Sequence, residues 1–289
     1  MAISASDVKA LRDQTGAGMM DCKKALTDSD GDLSKATELL RERGLSKAGK
    51  RAGRETSEGA VGIALDGPRA GIVELGCETD FVAKTDTYQD LARGIAGVVA
   101  EEPSIAGAEA AGAAAYEGST VHDTIQATIA KVGENIELKR AEGVEVGNGA
   151  TGGYVHMGGK LGVIVALETG ASGDAVDALA KDIAMHVAAA DPSPVSIDRD
   201  SVPSDVIETE KRILTNQALE SGKPENVVEK MVSGRINKFY AENCLLEQSF
   251  VKDPDLTVGK LVEKVAGEAG GEIRVASFVR YKLGEASQG

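Results

Sequence analysis

Residues 1–44 carry apolar positions at helical spacing in three short runs. Val8 and Leu11 mark the inner face of the first, which Ser4 or Ser6 can cap. Thr15-Gly16-Ala17-Gly18 forms a turn, Met19 and Met20 open the second helix, and Ala25 and Leu26 continue it. Asp30-Gly31-Asp32 turns the chain again, and Leu33, Ala36, Leu39 and Leu40 form the third stripe, with Gly44 as its C-cap. Ser46 to Glu58 is polar and locally basic. The pattern then changes period. Gly71-Ile72-Val73-Glu74-Leu75 reads as an apolar strand, and a helix follows from Asp86, with Gln89 as its capping partner, through Ala100. Pro103–Ser119 is Ala- and Gly-rich and predicts a loop with about one helical turn. Thr120–Val132 predicts a helix and Ile136–Val146 a closing strand.

A second unit of the same kind begins at Gly147. His156 sits in its hairpin, Asp174 caps a helix to Ala190, and Asp191-Pro192-Ser193-Pro194 stops that helix. The two units are partial copies. Arg69–Val73 resembles Lys160–Ile164 at an offset of 91, and Asp86, Leu91, Ala92, Ile95, Ala96, Val99 and Ala100 recur at an offset of 88. Thr120-Val121, Gly133 and Ile136 recur at an offset of 137 as Thr257-Val258, Gly270 and Ile273. The strand Ile273 to Leu283 closes the second copy. Between strand and helix, copy one has Cys77–Thr85 and copy two the shorter Glu168–Gly173. The added element in copy one, Thr79-Asp80-Phe81-Val82, is therefore not a general requirement of the fold. It stands on a strand-to-helix loop, where scaffolds present functional groups. The plainer alternative is a capped turn with Phe81 in the core.

Copy two also carries a long insertion. Ser201–Cys244 predicts an antiparallel helical hairpin, with Val206-Ile207, Ile213-Leu214 and Leu219 on one inner face. Val228, Met231-Val232, Ile236 and Phe239 face them after a turn at Ser221-Gly222-Lys223-Pro224. So narrow a seam suits a projecting arm. The reading is an α+β protein divided as follows: a three-helix domain over 1–45, a linker over 46–58, a duplicated core with small antiparallel sheets over 59–146 and over 147–200 with 245–289, and the helical hairpin over 201–244.

Charge and composition narrow the function. A net charge of −14 argues against a broad phosphate-binding surface, and the absence of Trp argues against base-stacking platforms. Cys22, Cys77 and Cys244 are odd in number and widely spaced, which predicts reduced thiols in a cytoplasmic protein without a zinc site. Neither a basic-then-apolar leader nor an apolar run of membrane-spanning length is present. Gly44–Lys50 has the spacing of a phosphate-binding loop, but Arg51 occupies the position of the magnesium-ligating hydroxyl and the stretch follows a helix. Gly158-Gly159-Lys160-Leu161 fails similarly. Nothing in the spacing assembles a nucleophile with a base, and no cofactor is expected.

Thr15–Leu26 resembles the signature of the bacterial translation elongation factor Ts family. So do Thr79-Asp80-Phe81-Val82-Ala83, Val132-Gly133-Glu134-Asn135-Ile136, Ile183-Ala184-Met185-His186-Val187 and Ser221-Gly222-Lys223-Pro224, in order along nearly the whole chain. The resemblance implies a ubiquitin-associated-like N-terminal domain, a duplicated core and a coiled-coil arm. It implies guanine-nucleotide exchange, without covalent catalysis, on elongation factor Tu in its GDP-bound and nucleotide-free states, and no direct contact with nucleic acid or membrane. Thr79, Asp80, Phe81 and Val82 match the element that displaces the GTPase's Mg²⁺, with Phe81 as the intruding aromatic. Met19, Met20 and His156 match contacts with that partner. Some family members continue past the last strand with a further helical module; the expectation here is a core that ends with the strand closing near Leu283. Two other functions compete: an adaptor acting through residues 1–44 alone, and an enzyme using Cys77 or His156.

Overall fold

The computed structural model describes residues 3–49, 51, 53–220 and 225–285. It is a mixed α+β structure with small antiparallel sheets. The chain opens with helices α1 (Ala5–Thr15), α2 (Met19–Asp28) and α3 (Leu33–Gly49). Ser4 caps α1 in a reciprocal box with Asp7, satisfying free amides at the helix start. Val8, Leu11, Cys22, Ala25, Leu26 and Ala36 make a small core of their own.

Helix α3 does not end at Gly44 as its sequence suggests. It continues through Gly49, into the stretch expected to be linker, and Gly44 is buried within it. The reason is packing. α3 lies against α7 (Val121–Val132), and a Cβ at Gly44 would stand 3.0 Å from the Cβ of Ala130. The glycine permits close helix approach, and that outweighs its helix propensity. The phosphate-loop spacing over Gly44–Gly49 is thus helix, with Lys50 outside the described residues.

Strands β1 (Glu58–Asp66) and β2 (Arg69–Cys77) form a hairpin. The one-turn helix α4 (Asp80–Ala83) follows, then α5 (Asp86–Glu101), α6 (Ala108–Ala113), the short pair β3 (Ala115–Tyr116) and β4 (Ser119–Thr120), α7, and β5 (Ile136–Glu145). The stretch 103–119 therefore holds more structure than its Ala/Gly composition predicts: one short helix and a two-stranded turn. The second unit runs β6 (Gly149–His156), β7 (Leu161–Thr169), α8 (Asp174–Ala189), the helical pair α9 (Ser204–Glu220) and α10 (Glu225–Asn243), β8 (Ser249–Phe250), β9 (Asp253–Thr257), α11 (Val258–Ala269) and β10 (Ile273–Lys282). The two principal sheets have orders β1-β2-β5 and β10-β7-β6, all antiparallel. Each is a hairpin, a helix, a later helix and a strand returning beside the second hairpin strand, so the internal sequence repeat corresponds to a repeated topology.

The sheets stack with helices outside. Val61, Ile72, Ile164, Ala166 and Tyr281 fill the space between sheets. Val73, Leu75, Tyr88, Leu91, Ile95 and Val99 fill the space under α5, and Val163, Val165, Leu179 and Ile183 that under α8. β2 and β7 are buried on both faces, which is why both read as continuous apolar runs. Gly62 and Gly152 serve the same purpose in the two copies. A Cβ on Gly62 would meet the Ala92 carbonyl oxygen at 2.4 Å, and one on Gly152 the Ala180 Cβ at 2.5 Å.

The buried carboxylate of Glu74, 2% exposed, ties the copies together. It accepts from Arg140 Nε at 2.7 Å and from the Gly284 amide at 3.1 Å. Arg140 also donates to the Lys282 carbonyl at 3.0 Å and lies 4.1 Å from the centre of the Tyr281 ring. In the helical pair, Ile207, Leu214 and Ala218 are buried, whereas Val206 and Ile213, read from the sequence as inner-face residues, are exposed, and Leu219 is exposed at the rim of the groove it lines with Val228 and Val232 of α10. Of each adjacent apolar pair, the helical period places one residue in the seam and leaves the other exposed. The predicted turn Ser221–Pro224 lies outside the described residues.

Candidate functional site

β2 delivers the chain to its loop through Cys77, the last β2 residue paired with β5, opposite Ile136. Beyond that pair the strands diverge, and two glutamates replace the ladder. Glu78 Oε1 accepts the Asn135 amide at 2.7 Å. Glu134 reaches the other way, accepting the Thr79 amide at 3.0 Å and the Thr79 hydroxyl at 2.7 Å on its two oxygens. Asn135 Nδ2 donates to the Arg54 carbonyl at 2.9 Å, and the Arg54 guanidinium stands 3.3 Å from Glu78. The Asn135 amide, with Arg54 assisting, holds the Glu78 carboxyl below its usual range.

Thr79 is the N-cap of α4. Its hydroxyl donates to Glu134 and accepts from the Val82 amide at 3.4 Å. The far end of the turn is anchored as firmly. Ala83 is buried in the core under α5, its carbonyl accepts from Gln89 Nε2 at 2.6 Å, and Thr85 Oγ1 donates to the Val82 carbonyl at 2.8 Å. Thr85, not Asp86, is the N-cap of α5, and Gln89 turns to Ala83 instead of completing a capping box. In copy two Gly173 occupies the cap position, and Asp174 is the first helical residue. The segment 170–173 there forms no helix.

Between its anchors α4 presents Phe81 to solvent, 80% exposed, while Val82 packs partly against the core. Core burial of Phe81 is thereby excluded. Asp80 pairs with Lys84 one turn on, at 2.6 Å, and this hydrogen bond holds its carboxyl below the usual range. Met19 and Met20 open α2 at 59% and 74% exposure. His156 ends edge strand β6, exposed, with its Nδ1 2.8 Å from the Tyr154 hydroxyl.

The structure links these groups through a chain of contacts. A Cβ on Gly16, in the turn before Met19, would lie 3.1 Å from the Lys131 side chain near the end of α7. Glu134, three residues on, holds Thr79. Gln89, which holds Ala83, lies beside Gly159 in the turn after His156, and Lys160 in that turn is 3.3 Å from Glu58. Nothing in the local sequence marks Glu134, Glu78, Asn135 and Gln89 as supports of the loop. A sequence separation of 55 positions between Thr79 and Glu134 hides their contact.

Cys77 offers no nucleophile. It is buried, burial pushes its thiol up to about 11, and its Sγ donates to the Thr79 carbonyl at 3.2 Å. Among the described residues no group of acidic, His and Cys side chains is arranged to hold a metal ion, and no helix is long and apolar enough to cross a membrane.

The family model described as Elongation factor TS matches residues 78–285. Elongation factor Ts of Syntrophotalea carbinolica is 47% identical over 288 residues, covering 99% of this chain and 94% of that protein. That of Thioalkalivibrio sulfidiphilus is 48% identical over 99% of this chain and 93% of its own length, and that of Agrobacterium fabrum 44% over 98% and 93%. Identity at this level along nearly the whole of both chains, with the family model spanning the Thr79–Val82 turn, the second sheet and the helical pair, establishes that the chain belongs to the elongation factor Ts family.

Proposed function

We propose that this protein is the guanine-nucleotide exchange factor of elongation factor Tu, acting in the cytoplasm, and that Thr79–Val82 is the element that dislodges Mg²⁺ from the GTPase. Membership of the family itself implies a nucleotide-exchange role in translation elongation. The observation that carries the finer reading is Phe81: an exposed aromatic on a helical turn fixed at both ends, present in one copy of the repeat and absent from the other. Solitary exposed apolar residues are ordinary, but a rigidly held aromatic is the form of a docking anchor.

A GTPase holds GDP through phosphate-cradling amides and through Mg²⁺. Removing the ion removes a large local charge from that site. Phe81 enters an apolar gap in the partner and shifts the backbone that supports the ion. Asp80, already paired with Lys84, acts by fixing the turn or by competing for the ion's ordered water. Met19 and Met20 supply adaptable apolar contact from the N-terminal helices, and His156 a polar contact from the second copy. The division accompanying this reading is a ubiquitin-associated-like unit over 1–45, a linker over 46–58, core subdomains over 59–146 and over 147–200 with 245–289, and a coiled-coil arm over 201–244. No covalent step is needed, and the enclosed, weakly acidic Cys77 thiol supports that.

Exchange of this kind is a coupling between two ligands of one GTPase, so it is reciprocal. A ten-thousand-fold weakening of GDP corresponds to roughly 5.5 kcal/mol of differential binding, more than one side chain supplies. The test is calorimetric titration of this protein into elongation factor Tu, nucleotide-free and GDP-saturated. The reading predicts that GDP weakens binding of the factor by the same ratio as the factor weakens binding of GDP. Equal affinity for the two forms overturns it.

A further inference from the structure

We propose that Glu134 is a positioning residue for exchange: its carboxylate sets the pose of the Phe81 turn from the opposite side of the sheet end. The inference rests on the exchange reading above and adds to it a residue that touches no nucleotide.

The geometry singles out Glu134. It is the group that joins α7 and the start of β5 to the turn, and it does so with both oxygens, one on the Thr79 amide and one on the Thr79 hydroxyl. Two acceptors on one residue fix orientation as well as distance. The hydroxyl bond also commits the Thr79 proton, leaving that oxygen's lone pair to face the Val82 amide and cap α4. α4 is a single turn of four residues, too short to hold its shape by its own hydrogen bonds. Its start is therefore defined from outside, by Glu134, and its end by Ala83 in the core and Gln89. Gly133 takes the left-handed conformation at the end of α7 and swings the chain so that the next residue reaches across. Glu78 makes the reverse crossing to Asn135, so the two carboxylates lace the strand ends where the ladder stops.

The consequence is specific. Loss of the Glu134 carboxylate leaves Phe81 exposed and chemically intact but loosens the turn that aims it. The defect belongs in the maximal rate of nucleotide release, where orientation counts, more than in the encounter. It also belongs only to a protein that has Phe81.

The experiment uses the full chain. The protein has no Trp, so Phe81→Trp supplies a single reporter on the turn. In that background Glu134→Ala and Glu134→Asp are predicted to lower the steady-state anisotropy of the reporter. The aspartate keeps the charge and loses the reach. Glu134→Gln is predicted to preserve the anisotropy, because its oxygen accepts the amide and its NH₂ donates to the Thr79 hydroxyl. Stimulated release of fluorescent GDP from elongation factor Tu is then measured with Phe81 in place. Glu134→Ala and Glu134→Asp are expected to lower the maximal rate by at least about tenfold, the lower end of the effect of losing one charge-assisted hydrogen bond, with Glu134→Gln restoring most of it. In a Phe81→Ala background the Glu134→Ala substitution is expected to add nothing further. Unchanged anisotropy overturns the clamp. Lowered anisotropy with undiminished release, or full additivity with Phe81→Ala, overturns its role in exchange. Failure of the wild-type chain to accelerate release overturns the exchange reading and this role with it, and the anisotropy still decides whether Glu134 orders the turn. Should Glu134→Ala not fold, Glu134→Asp carries the same comparisons.

Discussion

Phe81→Ala is a perturbation whose effects on stability and on binding separate cleanly. The ring is 80% exposed, and the turn that carries it is held by Thr79, Ala83, Gln89 and Thr85, none of which involves the ring. Truncation opens no cavity and breaks no internal hydrogen bond, so folding stability should stay within about 0.5 kcal/mol of wild type. Binding is another matter. Full burial of a phenylalanine side chain contributes roughly 1.5–3 kcal/mol, which corresponds to roughly 10- to 150-fold in affinity at about 1.4 kcal/mol per tenfold. The assay pairs urea unfolding of the free protein with titration against nucleotide-free elongation factor Tu. The expected result is an unchanged unfolding curve with affinity lowered into that range. A loss of stability above about 1 kcal/mol would show that the ring packs internally. An affinity within about twofold of wild type would show that it is not an anchor.

Other predictions address the scaffold. Arg140→Met strands the buried Glu74 carboxylate and should cost about 3–5 kcal/mol in urea unfolding, while adding Glu74→Met should restore much of the loss; a double variant no better than the single one refutes this. His186 is buried and neutral. The Val251 amide donates to Nδ1 at 3.2 Å, so Nε2 carries the proton toward Gln248 Oε1 at 3.0 Å, and burial holds its pKa below the ordinary value. Above roughly pH 6.5 neither folded nor unfolded chain binds the extra proton. As pH falls the unfolded chain binds it first, so stability declines until the folded pKa is reached. The His186→Gln variant should show a shallower decline over that window in pH-dependent unfolding. Cys77, pushed up to about 11 by burial, should react with iodoacetamide at pH 8 about 100-fold more slowly than an ordinary thiol, through its thiolate deficit alone. Prompt alkylation in the folded state would contradict its enclosure.

The parts of the fold written in local periodicity were readable. The apolar spacing of Leu91–Ala100 and its recurrence at an offset of 88 over Leu179–Ala188 located both helices and the repeated topology. What depends on distant partners was not. Gly44 has the composition of a helix end, and only Ala130 across the α3–α7 contact explains why the helix continues. The sequence places both members of each adjacent apolar pair in α9 on the inner face, yet only Ile207 and Leu214 are buried, and Val206 and Ile213 stay exposed. Asp86 and Asp174 are plausible caps in sequence, yet the cap positions fall one residue earlier, at Thr85 and Gly173. At the site, the Thr79–Val82 element stood out because the second copy lacks it. Its supports did not, because Glu134 and Asn135 meet the loop through the β2–β5 register.

The most direct test of the account is stopped-flow release of fluorescent GDP from elongation factor Tu, with wild-type protein and with Phe81→Ala, each at low and high Mg²⁺. Release is expected to be rapid with wild type and much slower with Phe81→Ala, and the wild-type effect to be suppressed as Mg²⁺ rises. Equally fast release by both proteins, indifferent to Mg²⁺, would contradict the claim that Phe81 acts by dislodging the ion.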